Sequence, residues 1–262
     1  MSKDPPQMPQ FTSSDGLDIH YRVLGEGKPV ILVHGWMTDG TAWNAITDAL
    51  TGAGLQLFIP DQRGTGESAK PERGYGIEQY ADDVAALAKA EGLERFSIVG
   101  HSMGGLIAQV AAAALGEAVA RLVLLCSVPA AGLPLPEEAA GLFLSAYDNP
   151  EAQNTILGMA CLQLDDAGRE LLLRSAATVS KACIEQSFHA WTTGGFADRL
   201  KDIRAETFVY GTDDPFLPPE VLDSMLVQRI DGAKFVHQPG PGHYPHVETP
   251  AVAGEKLAAL LA

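Results

Sequence analysis

The segment Gly100-His101-Ser102-Met103-Gly104-Gly105 lies between a short apolar run, 96–99, and an alanine-rich stretch, 103–115. That setting predicts a strand that becomes a helix within a single tight turn. Residues two before and two after the central serine then have to be glycine, because a side chain there would block the passing chain. The first five residues fit the G-x-S-x-G pattern, whose serine sits in a strained conformation with its hydroxyl thrust out of the sheet. The helix start behind it adds positive potential and an unused N–H. A purely structural turn is the bland alternative, but strand before and helix after are the context the motif needs to make Ser102 a nucleophile.

The rest of the chain keeps the same rhythm. Runs at 17–24, 29–33, 55–59, 96–99 and 121–126 read as strands, with helices at 41–51, 77–90 and 103–115 between them. The continuous apolar run at 29–33 fits a strand buried on both faces. Strands alternating with helices of this length imply an α/β fold: a mostly parallel central sheet with helices on both faces. After Val128 the rhythm stops, and from Pro129 to Leu200 only helical segments are legible, with turn or helix-start signals at Asp148-Asn149-Pro150 and Asp165-Asp166-Ala167-Gly168. It resumes with strands at 207–210 and 234–237 and helices at 218–227 and 249–261. The 262 residues therefore divide into a core, 1–128 with 201–262, and a helical insertion, 129–200. A hydrophobic content of 46% is enough for a sizeable core and excludes a disordered chain.

A serine hydroxyl needs a base, and the base needs a carboxylate to orient it. Among seven histidines, His243 in Gly240-Pro241-Gly242-His243-Tyr244 follows the last predicted strand, at the carboxyl edge where α/β sheets assemble their sites. His246 is the rival and reads better as a packing neighbour. His237 and His20 fall within strands, His189 lies in the insertion, and His34 and His101 read as braces of the loops flanking the site. For the carboxylate, Gly211-Thr212-Asp213-Asp214-Pro215 closes the preceding strand. Only one aspartate can face the histidine. Asp214 is favoured because Pro215 and Phe216 turn the chain there, leaving Asp213 as a loop or capping residue. A tetrahedral intermediate needs two N–H donors. Met103, after the serine, is one; Trp36, in His34-Gly35-Trp36-Met37 where Gly35 lets the backbone come close, is the other. The loop Asp61-Gln62-Arg63-Gly64-Thr65-Gly66 has no lysine to hold a phosphate and predicts local pairing of Asp61 with Arg63. The histidines and acids show no metal-ligand spacing, so no metal and no organic cofactor is implied.

The charge balance, 18 basic against 33 acidic residues for a net −15, argues against nucleic acid, whose backbone is met by clustered Lys and Arg. It also leans away from anionic substrates. Cys126, Cys161 and Cys183 are widely spaced and read as small apolar side chains of a reducing compartment. The opening 1–10 is polar and proline-rich, unlike a secretory signal. Glu117 and Arg121 break the longest apolar stretch before it reaches the roughly 20 residues of a membrane span. A soluble, cytoplasmic protein that acts on small molecules is the expectation.

Taken together, HGW at 34–36, DQRGTGES at 61–68, GHSMGG at 100–105, GTDD at 211–214 and GPGHYPHVETP at 240–250 make the chain similar to the α/β-hydrolase superfamily over about 17–262. Within it the sequence resembles the small carboxylesterases, enol-lactonases and cofactor-free haloperoxidases with perhydrolase activity. The order Ser, Asp, His along the chain is the one that architecture uses. The resemblance implies a triad of Ser102, Asp214 and His243, oxyanion donors at Trp36 and Met103, and a helical cap, 129–200, inserted after the sixth core strand. It also implies cleavage of a carboxylic ester or lactone through an acyl-enzyme on Ser102.

Neighbouring families narrow the chemistry. Haloalkane dehalogenases and epoxide hydrolases of this fold carry aspartate where Ser102 stands. Carbon–carbon bond hydrolases resemble GNSMGG at the elbow, against His101 here. A perhydrolase or carbon–carbon hydrolase is the alternative within the fold. A ligand-binding receptor on the same scaffold is the alternative of another class, since fold alone does not fix function. The insertion is rich in large apolar residues; Trp36, His101, Phe143 and Trp191 are the side chains expected to contact an apolar, neutral ester or lactone.

Overall fold

A computed structural model describes residues 9–262. The opening segment, read above as lacking a signal, falls mostly in 1–8, outside the described residues. The strands are β1 (Gln10–Thr12), β2 (Asp18–Leu24), β3 (Lys28–Val33), β4 (Leu55–Pro60), β5 (Phe96–His101), β6 (Val119–Leu125), β7 (Glu206–Thr212) and β8 (Lys234–Gln238). They form one sheet in the order β1-β2-β4-β3-β5-β6-β7-β8, in which the β1–β2 and β2–β4 pairs are antiparallel and every other pair is parallel. β1 is too short for any periodicity to announce it.

Alternation along the central strands explains why helices cover both faces. Ile31 and Val33 of β3 enter one apolar core, and Val30 and Leu32 enter a second. In β6, Leu122 and Leu124 belong to the first core and Val123 and Leu125 to the second. Helices α1 (Thr47–Gly52), α2 (Ile77–Ala90) and α3 (Met103–Leu115) fill the intervals between strands. Val84 and Leu87 of α2 and Leu106 and Val110 of α3 cover the first face, whereas Leu50 of α1 covers the second. The expected helix at 41–51 is split: a 3₁₀ turn, Gly40–Ile46, precedes α1. In that tighter winding residues three apart eclipse, so Trp43 and Ile46 both enter the second core.

Between β6 and β7 stand α4 (Glu137–Leu144), α5 (Pro150–Ala160), α6 (Asp166–Ala176) and α7 (Lys181–Thr193). Three start where a polar side chain takes an otherwise unpaired N–H: Asn149 from Ala152, Asp165 from Gly168 and Ser180 from Cys183. Their apolar faces, with Phe143, Ile156, Leu172 and Trp191, merge into the first core. The insertion therefore has no separate core. After β7 come α8 (Pro219–Leu222), which widens into a π turn at Asp223–Val227, then α9 (Pro245–Glu248) and α10 (Pro250–Leu261), whose Leu257 and Leu261 close the second face. Among the described residues no helix is long and apolar enough to cross a membrane.

Arg63 corrects an expectation. It does not pair with Asp61, which instead accepts N–H bonds from Gly40 and Glu67. Arg63 is fully buried; its Nε and Nη2 grip Asp83 at 2.7 Å each, and Nη1 and Nη2 reach Asp15 at 2.8 and 2.9 Å. The guanidinium thus ties α2 to the loop before β2. Replacing Arg63 with Met strands Asp83, which is 7% exposed, without its cation. The expected loss is about 3–5 kcal/mol of unfolding free energy, read by urea denaturation.

Asp15 adds a pH signature. Hydrogen bonds from Arg63 hold its carboxyl down to about 2, against an ordinary 3.8. Its contribution is fully present above 3.8 and is lost as pH falls towards 2. Urea midpoints of wild type and Asp15→Asn should differ most above that window and converge below it. A gap that does not change with pH overturns the assignment.

Candidate active site

β5 runs directly into Ser102, whose φ of 54° and ψ of −121° lie where side chains are strained. Four backbone bonds hold it there: its N–H donates to Leu125 at 3.0 Å, and its carbonyl accepts from Gly105 at 2.9 Å, Val128 at 3.0 Å and Leu106 at 3.4 Å. A Cβ on Gly104 would lie 2.3 Å from the carbonyl oxygens of both Val33 and His34, and one on Gly100 would lie 2.3 Å from that of Gly104. The glycines let α3 press against the end of β3, and Ser102 sits at the crest.

The loops after β7 and β8 bring a carboxylate and an imidazole to this crest. His243 Nδ1 donates to Asp214 Oδ2 at 2.6 Å, and its Nε2 lies 2.8 Å from Ser102 Oγ. With the proton held on Nδ1, Nε2 presents a lone pair to the serine hydroxyl. Asp214 is 1% exposed, and its other oxygen accepts the Phe216 N–H at 2.8 Å. Asp213 goes the other way. It meets the exposed His237 at 3.0 Å and the Gly240 N–H at 2.7 Å, because successive strand-end residues project to opposite sides. His246 is fully buried against Trp43, ring centroids 4.6 Å apart. His189 is exposed on α7 and His20 half-buried in β2.

His34 accepts the Gln62 N–H on Nε2 at 3.1 Å, so its Nδ1–H donates to the Gly35 carbonyl at 2.9 Å. Burial pushes its pKa down and keeps it neutral. The braced loop reaches Ser102: a Cβ on Gly35 would lie 3.2 Å from Ser102 Cβ. Neither the Trp36 N–H nor that of Met103, first residue of α3, donates to another group among the described residues.

Ser102 and His243 line a cavity of about 40 Å³ whose wall is otherwise mostly apolar. Trp36, Phe143 and Trp191 are part of that wall, with Trp36 stacked on Phe143 at 5.3 Å and its Nε1–H donating to the Ile184 carbonyl of α7 at 3.1 Å. His101 is not. Only 1% exposed, it lies behind His243, ring centroids 4.9 Å apart, and its Nε2–H donates to the His243 carbonyl at 2.8 Å. That bond and its burial, which drives its pKa well down, make it a brace and take it out of the expected substrate contacts. Phe216 and Tyr244 line the cavity and were not anticipated. The available signal was position: one stands two residues after Asp214, the other one residue after His243.

Known proteins match this chain along nearly its whole length. It is 29% identical to a non-heme haloperoxidase of Rhodococcus erythropolis over 90% of this chain and 93% of the relative. It is 31% identical to a non-heme chloroperoxidase of Streptomyces lividans, over 80% and 84%. An esterase from Exiguobacterium antarcticum superposes with a TM-score of 0.90 at 20% identity, covering 97% of this chain and 99% of that one, a likeness of fold. A model of the alpha/beta hydrolase family matches residues 30–255, from within β3 to within α10, and the chain belongs to that family.

Proposed function

We propose that the chain is a serine hydrolase that cleaves small, neutral carboxylic esters or lactones through an acyl-enzyme on Ser102. The observation that carries this reading is the unbroken hydrogen-bond chain from Asp214 through His243 to Ser102 at the wall of an apolar cavity. His243 Nε2 takes the serine proton as Oγ attacks the carbonyl. The N–H groups of Trp36 and Met103 receive the developing oxyanion, and Asp214 stabilises the imidazolium. His243 then protonates the departing alcohol, and water activated by the same nitrogen releases the acid. One oxyanion donor in such a site is worth about 2.7–4 kcal/mol. In this reading 1–128 with 201–262 are the catalytic core, and 129–200 are the cap that sets substrate size.

Size and charge follow from the wall. A water needs roughly 10–15 Å³ on this scale, so about 40 Å³ holds some three such positions. That suits a short acyl chain; a longer one requires the aromatic side chains of α4 and α7 to move. Among the described residues no Asp, Glu, Lys or Arg lines the cavity, which favours uncharged acyl groups. The haloperoxidase and chloroperoxidase relatives favour a second reading of the same intermediate, with hydrogen peroxide replacing water as acyl acceptor and a peracid leaving.

Ser102→Ala is expected to lower kcat/KM towards an activated acetate ester by about 10⁴-fold or more with the fold retained. A fluorophosphonate should add its phosphonyl group to Ser102 of the wild type, detected by mass spectrometry. Undiminished turnover in the variant sinks the assignment; peracid made from ester and peroxide by the wild type alone supports the second reading. On a ladder of p-nitrophenyl esters, activity should peak at short acyl chains and fall beyond them. Phe143→Ala should move the peak to longer chains, raising kcat/KM there about tenfold. A profile indifferent to chain length overturns the size argument.

A further inference from the structure

Every backbone polar group from Gly242 to Tyr244, the stretch centred on His243, has a partner. The Gly242 carbonyl accepts from Thr212 Oγ1 at 2.7 Å, the His243 N–H donates to the Ala160 carbonyl at 2.9 Å, and the His243 carbonyl accepts from His101. The Tyr244 carbonyl accepts from Val247 and Glu248. The two remaining N–H groups, of Gly242 and Tyr244, both go to the Glu248 carboxylate at 3.0 Å. The same carboxylate also accepts the N–H groups of Leu162 and Gln163, at 2.8 and 2.7 Å, from the connection between α5 and α6. One side chain thus gathers four backbone donors, two flanking the base and two from the insertion. The approach is close: a Cβ on Gly242 would lie 2.3 Å from the Ala160 oxygen.

We infer that Glu248 is a positioning residue for His243. It ties the backbone on both sides of the imidazole to the end of α5, so that the insertion, as well as the sheet, sets where Nε2 stands relative to Ser102. This rests on the reading of His243 as the base of an acyl transfer. The chemistry of the side chain fits the task. An ionised carboxylate only accepts, so neither oxygen opposes these donors: Oε2 takes the N–H groups of Leu162, Gln163 and Gly242, and Oε1 takes that of Tyr244. Glutamine offers one acceptor oxygen, enough for the three donors on Oε2, but turns an N–H towards that of Tyr244. Alanine releases all four. Glu248 does not line the cavity, so substrate binding has no direct stake in it.

The experiment measures, on wild type, Glu248→Gln and Glu248→Ala, the rate of fluorophosphonate labelling and the kcat and KM for a short-chain p-nitrophenyl ester, all per labelled site. A misplacement of about 1 Å costs on the order of 10²-fold. Glu248→Ala should lose about 100-fold in kcat and labelling rate with KM within about threefold, and Glu248→Gln should recover to within about tenfold of wild type. Leu162→Pro provides a variant outside the acid itself. It deletes one insertion N–H at an exposed site, after a residue already extended at φ −103° and ψ 141°, and should lower kcat severalfold without changing KM. A merely structural role predicts fewer labelled sites, each as fast as wild type, and that result overturns the inference, as does wild-type kcat in a folded Leu162→Pro. If the wild type itself does not label, the acyl-transfer reading falls and this inference with it, an outcome distinct from a labelled wild type and unaffected variants.

Discussion

The contact of α3 with the end of β3 is what the remainder of the site depends on. Gly104 lies against the carbonyls of Val33 and His34, and this closeness forces the reversal at Ser102 into a left-handed conformation. Three distant parts of the chain then take their places from it. The loop after β3 approaches Ser102 through Gly35, the start of α3 leaves its first N–H without a partner among the described residues, and Val128 at the exit of β6 donates to the Ser102 carbonyl. Hydrophobic burial of the parallel strands supplies the stability against which such strain is held.

Around the crest the electrostatics are arranged by subtraction. His34, His101 and His246 are all buried close to the site, and burial pushes each of their pKa values down, that of His246 to about 3. They stay neutral and add no positive charge that would oppose an imidazolium on His243. His243 alone has a buried carboxylate on one nitrogen and a serine on the other. Four histidines in one neighbourhood thus have different roles, set by what each ring nitrogen meets.

Much of this was legible in the sequence because it is local. The glycines around Ser102, the alternation of apolar runs, and the strand ends at Asp214 and His243 are short patterns whose geometry is set by neighbours. What escaped was non-local. Arg63 finds Asp83 and Asp15, 20 and 48 residues away, and not Asp61 two positions before it. His101, read both as a loop brace and as a substrate contact from its place beside Ser102, is held behind His243 by a bond to that residue's carbonyl, 142 residues on. The split of the first helix came from two aromatic and aliphatic side chains seeking the same core, which periodicity over one helical turn does not reveal.

The two aspartates that follow directly on β7 show how much rests on parity. One faces a buried imidazole and the other an exposed one, separated by a single peptide. Their assignment is written upstream, in the pairing of Tyr210 with Leu125 and of Val209 with Leu124. A slip of one residue along that ladder would turn the acids over like facing pages, handing the interior the wrong one while leaving the composition of the site intact. The sheet register is in this sense part of the candidate site, and the aliphatic side chains that lock it decide which acid meets His243.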